Sequence, residues 1–145
     1  MHRFAIRVRY ADTDRMGFAY YANYLRWFEI GRAEMLRSLG TSYREVEEAG
    51  ISLPVVEAAC RYRKPARYDD LIAIETAVAH LGRASVGFEY RVVREEDGEL
   101  LASGRTRHCF LDPEGRPAPA PAASARRAGP SAVLAGRPRN GTNAP

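Results

Sequence analysis

The chain has 145 residues, one domain's worth, with 46% hydrophobic and 28% charged residues, a balance that excludes a mostly disordered or collagen-like polymer. The net charge of +4 is unevenly spread: residues 116–145 hold five arginines and no acids, whereas residues 1–115 hold 17 basic and 18 acidic residues. A near-neutral folded part argues against a nucleic-acid-binding face, and no apolar run approaches the roughly 18 residues of a membrane span.

Residues 3–10, RFAIRVRY, alternate apolar and charged side chains with the period of a half-buried strand. A turn-rich stretch follows, ADTDRMGFAYYAN. Residues 21–39 then carry Tyr24, Phe28, Gly31, Met35 and Leu39 at steps of three and four, which predicts one long helix. Leu25, Trp27 and Leu36 widen its apolar surface, so it wants cover on more than one side. Arg26 with Glu29, and Glu34 with Arg37, are spaced to pair on its polar face. Gly40 stops it. Ser42 and Glu45 then form a capping-box pattern for a short helix ending at Gly50.

From Ile51 the period changes to two. Residues 51–64, 70–80, 84–94 and 99–111 read as strands, with Val56, Ala58, Cys60 and Tyr62 on one face of the first. Their connections are short, so they are expected as an antiparallel meander. The fold class is α+β: an antiparallel five-stranded curved sheet wrapped around one long central helix. The domain is expected at 1–117. Residues 118–145, rich in Ala, Pro and Arg, are expected to be mostly disordered, with a short helix possible only at 122–128.

The N-terminus meets charge too early for a signal-peptide core. Cys60 and Cys109 therefore read as reduced, buried thiols of a cytoplasmic protein. There is no nucleophile elbow, phosphate-binding glycine loop, CxxC or HxxxH pair, so no metal or cofactor is expected. His108 and Cys109 are neighbours in a strand and point to opposite faces. What remains is the loop ADTDRMG and the helix start behind it. A carboxylate there is either a turn-capping residue or a reactive group. The first N–H groups of the helix lack partners and suit a carbonyl oxygen that becomes negative. One carboxylate beside such a donor suffices for acyl transfer from a thioester, whose thiolate leaves without a strong acid.

Residues 8–37, VRYADTDRMGFAYYANYLRWFEIGRAEMLR, resemble the signature of hotdog-fold acyl-CoA thioesterases of the 4-hydroxybenzoyl-CoA thioesterase type, including the branch associated with the Tol-Pal envelope system. PARYDDLIAIET at 65–76, LGRAS at 81–85 and DPEGRP at 112–117 match as well, so the resemblance spans about residues 3–121. It implies hydrolysis of an acyl-CoA to free acid and CoA, with Asp14 as nucleophile or general base. The backbone N–H of Tyr21 would polarise the carbonyl, in a position where many bacterial relatives carry histidine. Gly17 would let the loop turn beside the acyl group, and Asn23 and Tyr24 would bind substrate or fix the loop. Asp12 would be structural, and Glu29 would pair with Arg26 or Arg32. Arg83, with Ser85 behind it, would meet the CoA phosphates, and Lys64 and Arg67 are further cations for that role. Tyr20, Tyr21, Tyr24, Trp27 and Phe28 suit an aromatic acyl group and equally a buried helix. The resemblance also implies a homodimer or homotetramer, which would cover the open sheet edges. Two other readings stay open: a non-catalytic acyl-binding or scaffold protein, and a hydroxyacyl-thioester dehydratase, which would want a histidine in the site loop.

Overall fold

The computed structural model describes residues 1–121. The expected tail disorder and the short helix at 122–128 lie outside the described residues. Strand β1 spans His2–Arg7 and is followed by a 3-10 turn at Tyr10–Asp12. Helix α1 covers Asn23–Ser38 and the short α2 covers Tyr43–Glu48. Four strands complete the chain: β2 Val55–Tyr62, β3 Leu71–Leu81, β4 Ser85–Arg94 and β5 Leu100–Cys109. They form one antiparallel sheet in the order β1-β3-β4-β5-β2, against which α1 packs.

The long helix lies two residues inside its expected start. Its buried residues are Asn23, Tyr24, Trp27, Phe28, Gly31 and Met35: the predicted stripe as far as Met35, with Leu39 only half-buried at the helix end. Phe28 stacks on Tyr90 of β4, with centroids 4.3 Å apart and planes 9° from parallel. Gly31 sits where α1 comes closest to the sheet. A Cβ there would lie 2.5 Å from Thr76 Oγ1 and 2.6 Å from Ile74 Cγ2, so only glycine allows this approach. Glu34 and Arg37 pair as expected. Arg26 does not meet Glu29; its Nη1 donates instead to Asn23 Oδ1 at 3.3 Å. The Ser42 hydroxyl accepts from Glu45 N at 3.2 Å and caps α2.

The structure corrects four expectations. First, β1 ends at Arg7. Asp12 Oδ2 accepts the Arg9 N–H at 2.8 Å and winds Tyr10–Asp12 into a turn, leaving Tyr10 79% exposed instead of facing the core. Second, the last four strands are not one meander. Only β3, β4 and β5 follow one another in the sheet; β2 pairs with β5, at the opposite edge from β1. Residues 63–70 carry the chain from one edge to the other, passing the N-terminal end of α1, where Ala66 is fully buried and its N–H meets Tyr24 Oη at 3.1 Å. Third, β2 is Val55–Tyr62 and not 51–64, and it holds no fully buried residue: Val56 is 56% and Tyr62 46% exposed, and Cys60 packs half-buried against the core. Fourth, Cys60 and Cys109 are free but only half-buried.

His108, by contrast, is 1% exposed. Its Nε2 bonds Thr106 Oγ1 at 2.8 Å, and that hydroxyl meets Tyr90 Oη at 2.6 Å. Burial holds the imidazole below its ordinary pKa; the Leu53 carbonyl opposes this and the Arg32 charge adds to it. The group is a core histidine that favours its neutral form.

Candidate active site

The loop between β1 and α1 folds back on itself. Asp14 N donates to Phe18 O at 2.8 Å and Gly17 N to Asp14 O at 3.0 Å, with a bridge between Thr13 and Ala19. Gly17 sits at φ +80°, a turn that L side chains rarely adopt. A Cβ on it would meet nothing within 4 Å, so backbone conformation, not crowding, requires the glycine.

The two aspartates divide the work. Asp12 is buried and structural: its carboxylate holds Arg9 N, and its carbonyl accepts Tyr20 N at 2.7 Å and Asn23 Nδ2 at 2.8 Å. Asp14 is half-buried. Its Oδ1 accepts Met16 N at 2.9 Å and Phe18 N at 3.3 Å, while Oδ2 has no hydrogen-bond partner among the described residues. The side chain is thus a turn cap on one oxygen and open on the other.

Asp14 lines a cleft of about 330 Å³ together with Met16, Phe18, Ala19, Tyr21, Tyr24 and Tyr62, and with Arg63, Lys64 and Pro65 of the segment after β2. At the helix start, Asn23 N, Tyr24 N and Leu25 N are already taken by the carbonyls of Tyr20, Tyr21 and Ala22. The N–H groups of Tyr21 and Ala22 have no partner among the described residues. Of these two helix-start residues, Tyr21 lines the cleft with Asp14 and Ala22 is the next residue along the chain.

The structure therefore brings Asp14, Tyr21 and Tyr24 to one cleft. Gly17 shapes the loop between two lining residues, Met16 and Phe18. Asn23 is buried away from the cleft and latches the loop to α1 through Asp12. Tyr24 is 2% exposed, its hydroxyl taken by Ala66 N. Burial raises its pKa, partly offset by that N–H. Trp27 and Phe28 belong to the core and not to the cleft.

Arg83 and Ser85 are not at this cleft. They form the turn after β3, whose eleven residues put them roughly 33 Å along the strand from the end where the Asp14 loop sits. Within one chain the cations at the cleft are Arg63 and Lys64, the latter paired with Glu99 at 2.9 Å. Arg67 lies over the Phe18 ring, 4.8 Å from its centroid.

Sequence reasoning missed Tyr62, Phe18, Met16 and Arg63. Tyr62 was visible only as a strand residue sharing one face with Val56, Ala58 and Cys60. Its hydroxyl donates to the Tyr21 carbonyl at 2.8 Å, and its ring stands nearly perpendicular to those of Tyr21 and Tyr24. Partial burial, then Cys60 and the neighbouring tyrosines, pushes this phenol up to about 12, so it keeps its proton and donates throughout the neutral range.

A profile of the thioesterase-like superfamily matches residues 8–128. The chain belongs to this superfamily. Among thioesterase-like relatives, the acyl-CoA thioester hydrolase YbgC of Escherichia coli is 33% identical over 113 residues, 78% of this chain and 84% of that one. A hypothetical protein of Thermus thermophilus superposes with a TM-score of 0.83 at 37% identity, covering 88% of this chain and 96% of its own. The DHNA-CoA thioesterase of Staphylococcus aureus gives 0.75 at 32% identity, covering 81% and 77%. The sheet wrapped on one helix is the hotdog fold of the thioesterases among them. Among the described residues no helix is long and apolar enough to cross a membrane, and no group of three His, Cys, Asp or Glu could hold a metal ion.

Proposed function

We propose that this thioesterase-like chain hydrolyses an acyl-CoA to the free carboxylic acid and CoA at the Asp14–Tyr21 cleft. One observation carries the reading: an Asp14 oxygen shares a cleft with Tyr21, and neither that oxygen nor the Tyr21 amide N–H has a partner among the described residues. The thioester carbonyl oxygen accepts from Tyr21 N–H, with Ala22 N–H beside it, so that charge developing on the oxygen is stabilised. Asp14 Oδ2 then acts in one of two ways. As nucleophile it bonds the carbonyl carbon and expels CoA thiolate, and water cleaves the resulting mixed anhydride. As general base it takes the proton of a water that attacks the same carbon. Either way the thiolate leaves unaided, which suits a cleft whose loop holds no histidine; this also disfavours the dehydratase reading.

The aromatic and thioether lining of Met16, Phe18, Tyr21, Tyr24 and Tyr62 suits an apolar acyl group, flat ones included. Arg63 and Lys64 are placed for CoA phosphates; Arg83 and Ser85 reach the cleft only from a second copy of the chain. A homodimer or homotetramer formed over the open β2 edge would supply them. We assign the catalytic domain to residues 1–117 and treat 118–145 as an appendage. Ala118, whose N–H meets Phe110 O at 2.9 Å, and Ala120, packed on the core, form its root.

The test is free-thiol release from benzoyl-, 4-hydroxybenzoyl-, short-chain and long-chain acyl-CoAs by the purified protein. Turnover of at least one of them, with stoichiometric free acid, is expected. No thiol release from any of them would move the non-catalytic scaffold reading to first place.

A further inference from the structure

We propose that Tyr62 is a positioning residue for this hydrolysis: its hydroxyl fixes the peptides that present the oxyanion donors. The inference rests on the reading of the cleft given above. Two peptide units carry the N–H groups without partners among the described residues. The Tyr20–Tyr21 unit is held at its carbonyl by Asn23 N at 2.9 Å, a bond of the helix start itself. The Tyr21–Ala22 unit has only a long internal bond, from Tyr24 N at 3.3 Å. The short bond to its carbonyl comes from outside, from Tyr62 Oη at 2.8 Å, across 41 residues of chain.

Tyr62 is suited to act as a strut. Its backbone is in register with Ala102 of β5, and the next two residues both anchor to β5, with Arg63 N and Lys64 N donating to Leu101 O at 2.8 and 3.1 Å. The sheet thereby reaches through one phenol to the segment that turns the loop into α1. A hydrogen bond accepted at a peptide carbonyl has two effects. It fixes the orientation of the amide plane. It also polarises the N–H at the other end of the same unit, making Ala22 N–H a better donor. The first effect carries over to Tyr21 N–H, because the backbone angles of Tyr21 link the two planes. The ring has a separate task, as a wall of the cleft set at 86° to Tyr21 and 88° to Tyr24. Hydroxyl and ring should therefore separate in kinetics.

The measurement is kcat and KM on the best acyl-CoA for wild type, Tyr62→Phe and Tyr62→Leu, with pH–rate profiles and melting temperatures. Tyr62→Phe keeps the ring and loses the strut. Its kcat is expected to fall about tenfold with KM within about twofold, as for a group that matters mainly in the transition state. The shape of its pH profile should match wild type, and its melting temperature should stay within about 2 °C, since the change removes one hydroxyl and keeps the ring packing of a half-exposed side chain. Tyr62→Leu should add a rise in KM. An unchanged kcat in Tyr62→Phe overturns the proposal. So does a rise in KM alone, or the loss of a limb of the pH profile, which would make the phenol an acid–base group. A kcat loss that follows a lowered melting temperature counts against it as well. If wild type is active, Asp14→Asn is not, and Tyr62→Phe is fully active, this inference alone fails. If folded wild type turns over no acyl-CoA, the reading of the site fails with it.

Discussion

Replacing Asp14 by asparagine is expected to lower kcat for thiol release on the order of a hundredfold or more, with a smaller change in KM. The substitution is chosen for what it keeps. On the proposed reading Asp14 has two duties: Oδ1 caps the turn through Met16 N and Phe18 N, and Oδ2, without a hydrogen-bond partner among the described residues, acts on the thioester or on its water. The amide oxygen of asparagine can take over the first duty, so the loop stays latched. It cannot take over the second, because an amide neither attacks a thioester nor accepts a proton from water. Asp14→Ala would remove both duties and could not tell them apart. Steady-state kinetics on the best acyl-CoA, with a melting curve for each protein, checks the result. Full activity in Asp14→Asn would make this side chain a turn cap and nothing more.

The largest expected stability effect comes from one methyl group on β5. A Cβ on Gly104 would lie 2.3 and 2.4 Å from two ring carbons of Phe28 and 2.7 Å from the carbonyl oxygen of Ala59. Neither neighbour can give way cheaply. Phe28 is fully buried and stacked on Tyr90, and Ala59 belongs to the strand paired with β5. Gly104→Ala must therefore displace the middle of α1 or peel β2 from the sheet. The expected cost is about 3 kcal/mol, at the upper end for overpacking, and a melting temperature lower by roughly 10 °C. Gly87→Ala is the comparison. There a Cβ would sit 3.5 Å from His80 Cβ, an ordinary contact, and the change should be close to neutral. Equal melting temperatures for the two variants would contradict the crowding at Gly104.

Much of this architecture was legible because it rests on local periodicity. The helix stripe through Tyr24, Phe28, Gly31 and Met35 is a period of 3.6, and the period-two runs mark the strands within a residue or two at most ends. Strand partners are not local. Nothing in residues 51–64 says that they pair with β5 and not with the next strand, so the edge position of β2 and its open faces could not be read. Tyr10 shows a second limit. Its alternation continues a strand pattern, but the Asp12 carboxylate captures Arg9 N and turns the chain first.

The site shows the same division. Asp14, Gly17, Tyr21, Asn23 and Tyr24 lie within eleven consecutive residues, so a motif could find them together. Tyr62, Arg63 and Lys64 reach the cleft through tertiary structure alone. Arg83 falls in the short connection between β3 and β4 and Ser85 opens β4, but the sequence motif does not say at which end of the sheet they fall.

The most direct test of the central claim is a crystal structure of Asp14→Asn with an intact acyl-CoA bound, the substrate being the one that wild type hydrolyses fastest. The account predicts the thioester carbonyl oxygen about 3 Å from Tyr21 N, a hydrogen-bond distance, with the carbonyl carbon facing the side chain at position 14. A thioester bound with its carbonyl away from the helix start, or out of reach of position 14, would contradict it.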